Sequence, residues 1–365
     1  MVRHKVAWLP GDGIGPEVLE AARTVLDASG FLSEYLAGDI GWRFWLKEGN
    51  PLPERTIELL RNTDCAFFGA VTSKPPTDAM RELPPRLRGK GIRYTSAIIR
   101  IRQQFELFTC LRPCKAFAGN PGNYRDGIDI AIFRENTEGM YSGAEWDRVP
   151  PEFYTVRGME RVAKGAAISL RAITRTASNR IAGAAFDYAR KRGRGRVTAV
   201  HKANVLRTTD GLFLDEVRRV AGEYGEIGLD EMHIDNACLQ LLRDPLQFDI
   251  ILTTNLFGDI LSDLCAGLVG GLGFAPSANI GRDYALFEPA HGSAPDIAGR
   301  DIANPVAAIL SAAMMVDWLG EEGRAKRIEA AVAEVIGEGK VRTPDMGGKD
   351  GTSEMGRAVA SKLGR

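Results

Sequence analysis

Short apolar runs alternate with longer amphipathic patterns along almost the whole chain, and this alternation limits the fold more than any other feature. A short apolar run is typical of a buried strand, and apolar residues repeated every three or four positions are typical of a helix. The alternation therefore predicts an α/β protein. The predicted strands are Lys5–Leu9, Cys65–Ala70, Asp129–Arg134, Arg196–His201 and Asp249–Thr253. The predicted helices are Pro16–Ala28, Pro53–Arg61, Ser96–Phe108, Val156–Arg192 with a break, Gly211–Tyr224, Asp235–Arg243, Gly258–Val269 and Pro305–Leu319.

Length and charge exclude several classes of protein. A chain of 365 residues predicts about two domains, and a formal net charge of 0 argues against nucleic acid as a main partner. Five cysteines scattered singly indicate reduced thiols in an intracellular protein. Cys110 and Cys114 lie close together, but no second pair has zinc spacing, so we expect both in or near the core.

The apolar runs are too short for a membrane protein. The basic start MVRHK is followed by only a brief apolar run before Pro10 and Gly11, so it is not a signal peptide. No stretch of 18 apolar residues is present, so no membrane partner is expected. We predict a cytoplasmic protein.

The glycine-rich start resembles a dinucleotide-binding loop but differs from it in spacing. Gly11, Gly13 and Gly15 read G-x-G-x-G, not G-x-G-x-x-G, and Pro16 opens the predicted helix. No acidic residue stands at the end of a clear second strand about 20 residues on, because residues 29–41 read as a loop and strand. We therefore reject a Rossmann fingerprint. The loop either lets backbone approach a ligand or is a purely structural turn.

Two aspartates are the strongest sign of a metal site. Asp259 and Asp263 are spaced i, i+4, which places them on one face of a helix. The neighbours Ile260, Leu261 and Leu264 are apolar, so this helix is not an ordinary solvated one. Adjacent carboxylates beside buried surface repel each other unless a cation lies between them, and Mg²⁺ or Mn²⁺ suits oxygen ligands. The alternative is a pair of ordinary acidic residues on a helix surface.

Basic residues at strand ends indicate a site for a carboxylate substrate. Arg102, Arg112 and Arg134 are candidates because a guanidinium can hold a carboxylate through two hydrogen bonds. Lys202 directly follows the apolar strand VTAV, and a lysine near a divalent cation can act as a base.

Six ordered motifs carry a resemblance that covers nearly the whole chain. GDGIGPEV, LRP, FRENTEGMYSG, HKANV, NLFGDILSDL and EPAHGSAPDIAG…ANP resemble the β-decarboxylating dehydrogenases, which include 3-isopropylmalate, isocitrate, homoisocitrate and tartrate dehydrogenases. The resemblance implies a two-domain fold with a large mixed sheet that is not a Rossmann fold. Residues 1–107 and 270–365 would form the large, cofactor-binding domain, and residues 108–269 the small one. It also implies a homodimer or higher homo-oligomer.

The resemblance assigns roles to individual residues. Arg102, Arg112 and Arg134 would hold the malate-type carboxylates, and Tyr141 would protonate the product carbon. Asp259 and Asp263 would bind metal from one subunit, while Asp235, a metal and catalytic residue, and the base Lys202 would enter from the other. The implied cofactor-binding residues are Ile14, Glu288, His291, Gly292, Ser293, Ala294, Asp296 and Asn304. The implied reaction is hydride transfer from C2 of the substrate, loss of CO₂ from C3 and protonation of the resulting enolate.

Asp296 bears on the choice of cofactor. A carboxylate here would accept hydrogen bonds from the ribose of NAD and repel the 2′-phosphate of NADP. Relatives that use NADP tend to carry Lys and Tyr where this chain has Asp296 and Ile297. We expect NAD. If Asp296 only caps a turn, the choice stays open.

The turn before Arg102 bears on the choice of substrate. Ser96 and Ile98 stand six and four residues before Arg102, where isocitrate enzymes of the family have Ser and Asn. Ile98 suits an alkyl group and cannot hydrogen-bond a carboxylate, which favours 3-isopropylmalate. Isocitrate and homoisocitrate are the alternatives, with Arg93 or Arg100 as partners for a distal carboxylate.

Two further alternatives concern assembly. A non-catalytic regulatory subunit of a hetero-oligomeric dehydrogenase would be a different class of function, but Lys202, Tyr141 and the three aspartates are all present. The segment 143–157 contains paired prolines and aromatic residues. It is either an oligomerisation arm or an ordinary long loop.

Overall fold

The computed structural model describes residues 3–364, which form twelve strands and twelve α-helices. The strands are β1 (His4–Gly11), β2 (Ser33–Ala37), β3 (Cys65–Ala70), β4 (Thr109–Lys115), β5 (Asp129–Glu135), β6 (Glu145–Trp146), β7 (Ile168–Ser169), β8 (Arg196–His201), β9 (Gly228–His233), β10 (Ile250–Thr253), β11 (Pro276–Ile280) and β12 (Ala285–Pro289). The helices are α1 (Gly15–Ala28), α2 (Trp42–Glu48), α3 (Glu54–Arg61), α4 (Pro76–Glu82), α5 (Ala97–Gln104), α6 (Arg175–Arg192), α7 (Thr209–Ala221), α8 (Ile234–Arg243), α9 (Asn255–Leu268), α10 (Val306–Trp318), α11 (Glu322–Glu338) and α12 (Thr352–Leu363).

One ten-stranded sheet runs through the molecule in the order β2-β1-β3-β12-β11-β4-β5-β10-β8-β9. Strand β11 is antiparallel to both β12 and β4, and β4 is antiparallel to β5. The other neighbouring pairs are parallel. The predicted α/β class with a large mixed sheet is confirmed.

Helices bury both faces of this sheet. In β5, Ala131 and Phe133 enter one apolar core, and Ile130 and Ile132 enter another on the opposite face. Side chains alternate between the two faces of a strand, so a strand covered on both sides reads as a continuous apolar run. This is why the five strands predicted from apolar runs are all present. The domain boundaries at residues 107/108 and 269/270 stay a prediction.

The strands that prediction missed are β4, β6, β7, β9, β11 and β12. Strand β9 lies at the sheet edge with its side chains exposed or half-buried, so it has no apolar run. Strand β4 carries Arg112 and Pro113 within its seven residues. Helices α2, α4, α11 and α12 were also missed, and the helix predicted over Ser96–Phe108 ends at Gln104 before β4 begins.

The helix predicted over Val156–Arg192 is wrong in its first half. Helix α6 begins at Arg175, where the Thr174 side chain accepts a hydrogen bond from the Ala177 N–H. Gly158 and Gly165 have positive φ angles of 98° and 87°, which interrupt any helix before it. The segment instead forms part of an excursion in which β6 pairs with β7. A role of this arm in oligomerisation stays a prediction.

No helix within residues 3–364 combines the length and apolarity needed to cross a membrane. The cytoplasmic location stays a prediction.

Candidate active site

Three arginine side chains are buried on the same face of the sheet. Arg112 lies on β4, Arg134 lies on the adjacent β5, and Arg102 comes from α5. Arg102 is 8% exposed, Arg112 is 7% exposed and Arg134 is 1% exposed. Buried guanidinium groups need anionic partners, because an unpaired charge away from water is costly.

The anionic partners come from α9 and β12. Arg102 donates to a Glu288 carboxylate oxygen at 3.0 Å. Arg112 donates to Asp263 at 3.2 Å and lies 3.6 Å from Asp259. Arg134 forms an ion pair with Asp259. The structure therefore brings together the three arginines and two of the three aspartates predicted from the sequence.

Two hydrogen-bond donors of the arginine cluster are unpaired. The Nε atoms of Arg102 and Arg112 are buried and have no hydrogen-bond partner. Unsatisfied buried donors are rare, so these two indicate a need for an acceptor that the neighbouring side chains do not supply. A carboxylate substrate supplies oxygen acceptors of the kind that these two groups lack.

Helix α9 carries the paired aspartates as predicted. Arg134 sets the helix in place: its Nε and Nη2 donate to Asn255 Oδ1 at 2.9 and 2.7 Å. Burial would raise the pKa of Asp259, but the Arg134 guanidinium and its neighbours lower it overall. Burial raises the pKa of Asp263, and the charge of Asp259 adds to this despite Arg112. The two carboxylates thus retain the mutual repulsion that a cation would relieve.

Tyr141 lies directly over the arginine–aspartate cluster. Its hydroxyl donates to Asp259, and the Arg134 guanidinium lies 4.9 Å from the centre of its ring. Burial raises the pKa of the phenol, and the hydrogen bond to Asp259 adds to the rise. The phenol therefore keeps its proton at neutral pH and can act as an acid.

Lys202 and Asp235 lie together but apart from this cluster. The Lys202 ammonium forms an ion pair with Asp235, which lowers the pKa of that carboxyl. Both follow strand ends, β8 and β9, at the outer part of the sheet. Within one chain Asp235 makes no contact with Asp259 or Asp263, and no three His, Cys, Asp or Glu side chains converge among the described residues.

The glycine-rich loop packs on a second loop from near the other end of the chain. The Ile14 N–H donates to the Ser293 carbonyl oxygen at 2.9 Å. Gly13 has a φ of 58°, and a Cβ there would lie 1.8 Å from the same oxygen. The hydroxyls of Thr72 and Ser293 are 2.8 Å apart. Glycine is required here because two backbone segments touch, and the contact places Ile14 beside Ser293. A role of these two residues in cofactor binding stays a prediction.

The remaining cofactor candidates lie on or beside the loop of residues 290–305, which joins β12 to α10. Glu288 begins this region as the partner of Arg102, and Gly292 and Ala294 flank Ser293. The His291 Nε2 is buried without a partner, and burial lowers the pKa of its ring. Asp296 is exposed. Asn304 donates to Asp345 at 3.0 Å and accepts from the Val306 N–H at 3.0 Å.

The predicted specificity residues stand at the start of α5. Ser96 caps the helix through its backbone, and Ile98 is half-buried against the core one turn before Arg102. The spacing i, i+4 places Ile98 and Arg102 on one face. Arg100 instead donates to Asn50 Oδ1 at 2.7 Å and to the Leu52 carbonyl, while Arg93 is exposed. Arg100 is thus committed to the neighbouring loop.

Asn255 is a site residue that sequence reasoning missed. It accepts two hydrogen bonds from Arg134 and donates to the Glu138 carbonyl at 2.9 Å. A signal was present, because Asn255 is separated by one residue from the end of the apolar strand β10 and begins the motif NLFGDILSDL. A polar residue at a strand-to-helix junction often supports a site at the strand ends.

The residues present fit a divalent cation in part. Asp259 and Asp263 provide two carboxylates on one helix face, the donor type that Mg²⁺ and Mn²⁺ prefer. Two carboxylates are fewer than the six oxygen ligands such ions usually take, so this chain supplies only part of a ligand set. For a nucleotide, His291 Nε2 is an unpartnered polar atom, whereas the Ser293 carbonyl oxygen already accepts from the Ile14 N–H.

Buried arginines with free donors, beside paired helix carboxylates on an α/β sheet, define an enzyme that acts on a small carboxylate substrate. The chain belongs to the isocitrate/isopropylmalate dehydrogenase family, whose model matches residues 5–359. It is therefore a dehydrogenase that acts on a hydroxy acid.

Individual relatives match over nearly their whole length. The chain is 45% identical over 363 residues to a 3-isopropylmalate dehydrogenase of Methanothermobacter thermautotrophicus, covering 100% of this chain and 99% of the relative. It is 45% identical over 360 residues to an isocitrate/homoisocitrate dehydrogenase of Thermus thermophilus, covering 99% and 98%. The crystal structure of isocitrate dehydrogenase from Methylococcus capsulatus superposes with a TM-score of 0.87 at 41% identity, covering 99% of this chain and 100% of that one. These comparisons confirm the predicted family.

Proposed function

We propose that this protein catalyses the NAD-dependent, metal-dependent oxidative decarboxylation of a 3-substituted malate, with 3-isopropylmalate as the preferred substrate. The observation that carries the proposal is the buried arginine cluster with two free Nε donors beside Asp259 and Asp263. A malate has the two carboxylates that such a cluster binds, and a 2-hydroxyl that can reach the aspartates.

The arginines orient the substrate and exclude water. Arg102, Arg112 and Arg134 are already ordered by Glu288, Asp263 and Asp259, so they lose little freedom when substrate binds. Asp259 and Asp263 would hold the metal, which would supply Lewis acidity at the substrate oxygens, and the residues around Ser293 would hold NAD, which would supply the hydride acceptor.

Two side chains move the protons. Lys202 in its neutral amine form accepts the proton of the 2-hydroxyl, and the ammonium that results pairs with Asp235. Tyr141 donates a proton to C3 after CO₂ has left, because burial and the hydrogen bond to Asp259 keep the phenol protonated. Asp259, in turn, is positioned to accept a hydrogen bond from Tyr141 in the resting state.

The separation of Lys202 and Asp235 from Asp259 supports a homodimer with shared active sites. Exposed apolar side chains line the same helices that carry the acidic residues: Leu239 (50% exposed) and Leu242 (47%) on α8, and Leu256 (37%) and Ile260 (51%) on α9. An apolar stripe on neighbouring helices is typical of a subunit interface. Asp235 and Leu239 are spaced i, i+4, so pairing of these helices brings Asp235 of one copy toward Asp259 of the other.

Cofactor preference is proposed from Asp296. Its carboxylate is exposed next to the Ser293 loop, so it is free to accept hydrogen bonds from ribose hydroxyls. A 2′-phosphate would place two negative charges against it. This supports NAD over NADP.

Isocitrate or homoisocitrate is the second candidate substrate. Ser96 is half-buried at the start of α5, and a relative that is 45% identical is named isocitrate/homoisocitrate dehydrogenase. Ile98 argues the other way, because it offers apolar surface and no hydrogen bond. A non-catalytic regulatory subunit is disfavoured, because the arginine cluster, Tyr141 and Lys202 are intact.

A substrate panel tests the proposal. The purified single chain is assayed with NAD and Mn²⁺ against 3-isopropylmalate, isocitrate, homoisocitrate and tartrate. We expect turnover of 3-isopropylmalate with the highest kcat/KM. Turnover of none of them, with correct folding by circular dichroism, contradicts the proposal. If the protein strongly prefers isocitrate, isocitrate replaces 3-isopropylmalate as the proposed substrate.

A further inference from the structure

Arg171 forms a dense set of contacts outside the site described so far. It follows β7, where the arm rejoins the body, and only 15% of its side chain is exposed. Its Nη1 lies 2.7 Å from the carboxylate of Asp210 and donates to the Thr209 hydroxyl at 2.8 Å. Its Nη2 donates to the Thr254 hydroxyl at 3.1 Å. The guanidinium also lies over the ring of Phe257, 5.6 Å from its centre.

Asp210 connects Arg171 to the proposed base. The Asp210 side chain is fully buried, and its second oxygen accepts the backbone N–H of Lys202 at 2.7 Å. A carboxylate buried this completely needs a cationic partner, because an uncompensated buried charge is costly. Arg171 is that partner. The direction of Lys202 as it leaves β8 is thus set by an acceptor that Arg171 itself holds in place.

Thr254 connects the Arg171 guanidinium to α9, the helix that carries Asp259 and Asp263. Thr254 immediately precedes α9, and the next residue, Asn255, holds Arg134. One planar group therefore joins the start of α7, beside Lys202, to the start of α9, which carries Asp259 one turn further on. Lysine could not replace it fully, because one ammonium cannot reach three oxygens in a fixed fork.

We infer that Arg171 is a positioning residue that fixes Lys202 through Asp210 and the start of α9 through Thr254. The inference rests on the proposed function, because it assumes that Lys202 acts as the base. It assigns Arg171 no contact with substrate or cofactor. Arg171 touches none of the three substrate-binding arginines, and Arg134 keeps its own contacts with Asn255 and Asp259 when Arg171 is lost. The direction of the proton acceptor therefore changes more than substrate binding does, so the effect falls on kcat more than on KM.

The first test replaces Arg171 by methionine and uses Arg175→Met as the matched control. Arg175 also pairs with a buried carboxylate, Glu216 at 2.7 Å, but touches neither Lys202 nor Thr254. We expect Arg171→Met to lower kcat by about 10- to 100-fold, with the substrate KM changed by less than about 3-fold. The deuterium isotope effect for substrate labelled at C2 should rise. Arg175→Met should keep kcat within about 2-fold of the wild type.

The second test covers the case in which Arg171→Met folds poorly because Asp210 is left as an unpaired buried charge. The double variant Arg171→Met/Asp210→Asn removes that charge, while the asparagine oxygen can still accept the Lys202 N–H. We expect it to fold and to recover part of the lost kcat. Arg171→Lys should lie between Arg171→Met and the wild type. A kcat equal to that of the wild type in all of these variants overturns the inference.

The third test does not depend on turnover. Hydrogen exchange monitored by mass spectrometry should show lost protection in the segment from Lys202 to Asp210 for Arg171→Met, and unchanged protection there for Arg175→Met. If the wild type oxidises none of the malates, the proposed function fails, and this measurement still shows whether Arg171 orders the Lys202 segment. Unchanged protection, or lost protection with unchanged kcat in an active enzyme, overturns the positioning role.

Discussion

Gly258 packs directly on the side chain of Arg134. A Cβ added at Gly258 would lie 2.5 Å from the Arg134 Cβ and 2.6 Å from its Cγ. Helix α9 can therefore approach β5 closely only because residue 258 has no side chain. This contact sets the distance between the arginine on the strand and Asp259, the next residue on the helix.

Gly258→Ala should destabilise the protein and lower its activity. The added methyl would push α9 away from β5, and overpacking of this kind costs about 1–3 kcal/mol. Gly267→Ala is the control, because Gly267 is in the same helix and a Cβ there meets nothing within 4 Å. The control should be neutral or stabilise by up to about 1 kcal/mol, since alanine favours helix. Thermal melts and kcat/KM are measured for both, and equal loss in both variants would contradict the packing argument.

Removal of one helix carboxylate should disable the metal site. Asp259→Asn removes a charge that both the metal and Tyr141 need, so we expect kcat to fall by about 100-fold or more and Mn²⁺ binding to weaken. Calorimetric titration of Mn²⁺ into wild type and variant measures the second effect. EDTA should abolish turnover by the wild type, and added Mg²⁺ or Mn²⁺ should restore it. Full activity in EDTA would disprove the metal assignment.

Tyr141→Phe and Lys202→Met should slow different steps. Without the phenol, protonation of the enolate is impaired by about 10²- to 10⁴-fold, while hydride transfer is less affected. Without the lysine, hydride transfer itself is slow, because no base accepts the hydroxyl proton. Single-turnover formation of NADH separates the two, and a normal burst is expected for Tyr141→Phe only. Because the pKa of the Tyr141 phenol is raised, the phenol should stay protonated, and should continue to protonate the enolate, as the pH rises above neutrality.

The same variants test whether the active site is shared. Lys202→Met chains and Asp259→Asn chains are each inactive, but a mixed dimer would contain one site with both residues intact. Activity should therefore return when the two are unfolded and refolded together. No recovery in mixed dimers verified by native mass spectrometry would contradict a shared site.

Cofactor preference should depend on residues 296 and 297. The wild type should have a higher kcat/KM with NAD than with NADP. Asp296→Lys with Ile297→Tyr should narrow or reverse that ratio, because a cation then faces the 2′-phosphate. Initial rates with both cofactors check this. Better use of NADP by the unchanged chain would show that Asp296 does not face the ribose.

Ile98→Asn should shift the substrate preference toward isocitrate. An unpaired carboxylate against Ile98 costs several kcal/mol, whereas the alkyl contact that the variant loses is worth about 1 kcal/mol per methylene. The ratio of kcat/KM for 3-isopropylmalate to that for isocitrate should fall. If the wild type already prefers isocitrate, another group binds the distal carboxylate, and the exposed Arg93 is the first candidate because Arg100 is committed to Asn50.

Sequence patterns were informative where a residue's role depends on its neighbours in the chain. The spacing of Asp259 and Asp263 predicts their common helix face, and the buried strands follow from apolar runs. The family motifs located Arg102, Arg112 and Arg134, which the structure brings to one cluster. Tyr141 was also predicted, and it lies on Asp259.

Roles that depend on distant contacts were not predictable. Arg171 looks like any surface arginine in the sequence, and its importance comes from Asp210 and Thr254, which are far along the chain. Helix α6 confirms the second half of the broken helix predicted over Val156–Arg192. The first half was wrong because its polar and apolar residues fit a helix locally, while Gly158 and Gly165 adopt positive φ angles. Edge strand β9 has no apolar run, since its side chains are not buried on both faces.

The backbone contact between the Gly13 loop and Ser293 has a consequence for biosynthesis. Strands β1 and β3 leave the ribosome early, but β3 needs β12 as its second neighbour, and the Ile14 N–H needs the carbonyl of Ser293. A nascent chain that has not yet reached this point has an incomplete sheet and an unpaired glycine loop. Amino-terminal segments usually fold first during synthesis, but here the sheet around β3 cannot be completed until translation has passed Ser293, because the partners of β3 and of the Gly13 loop are made late.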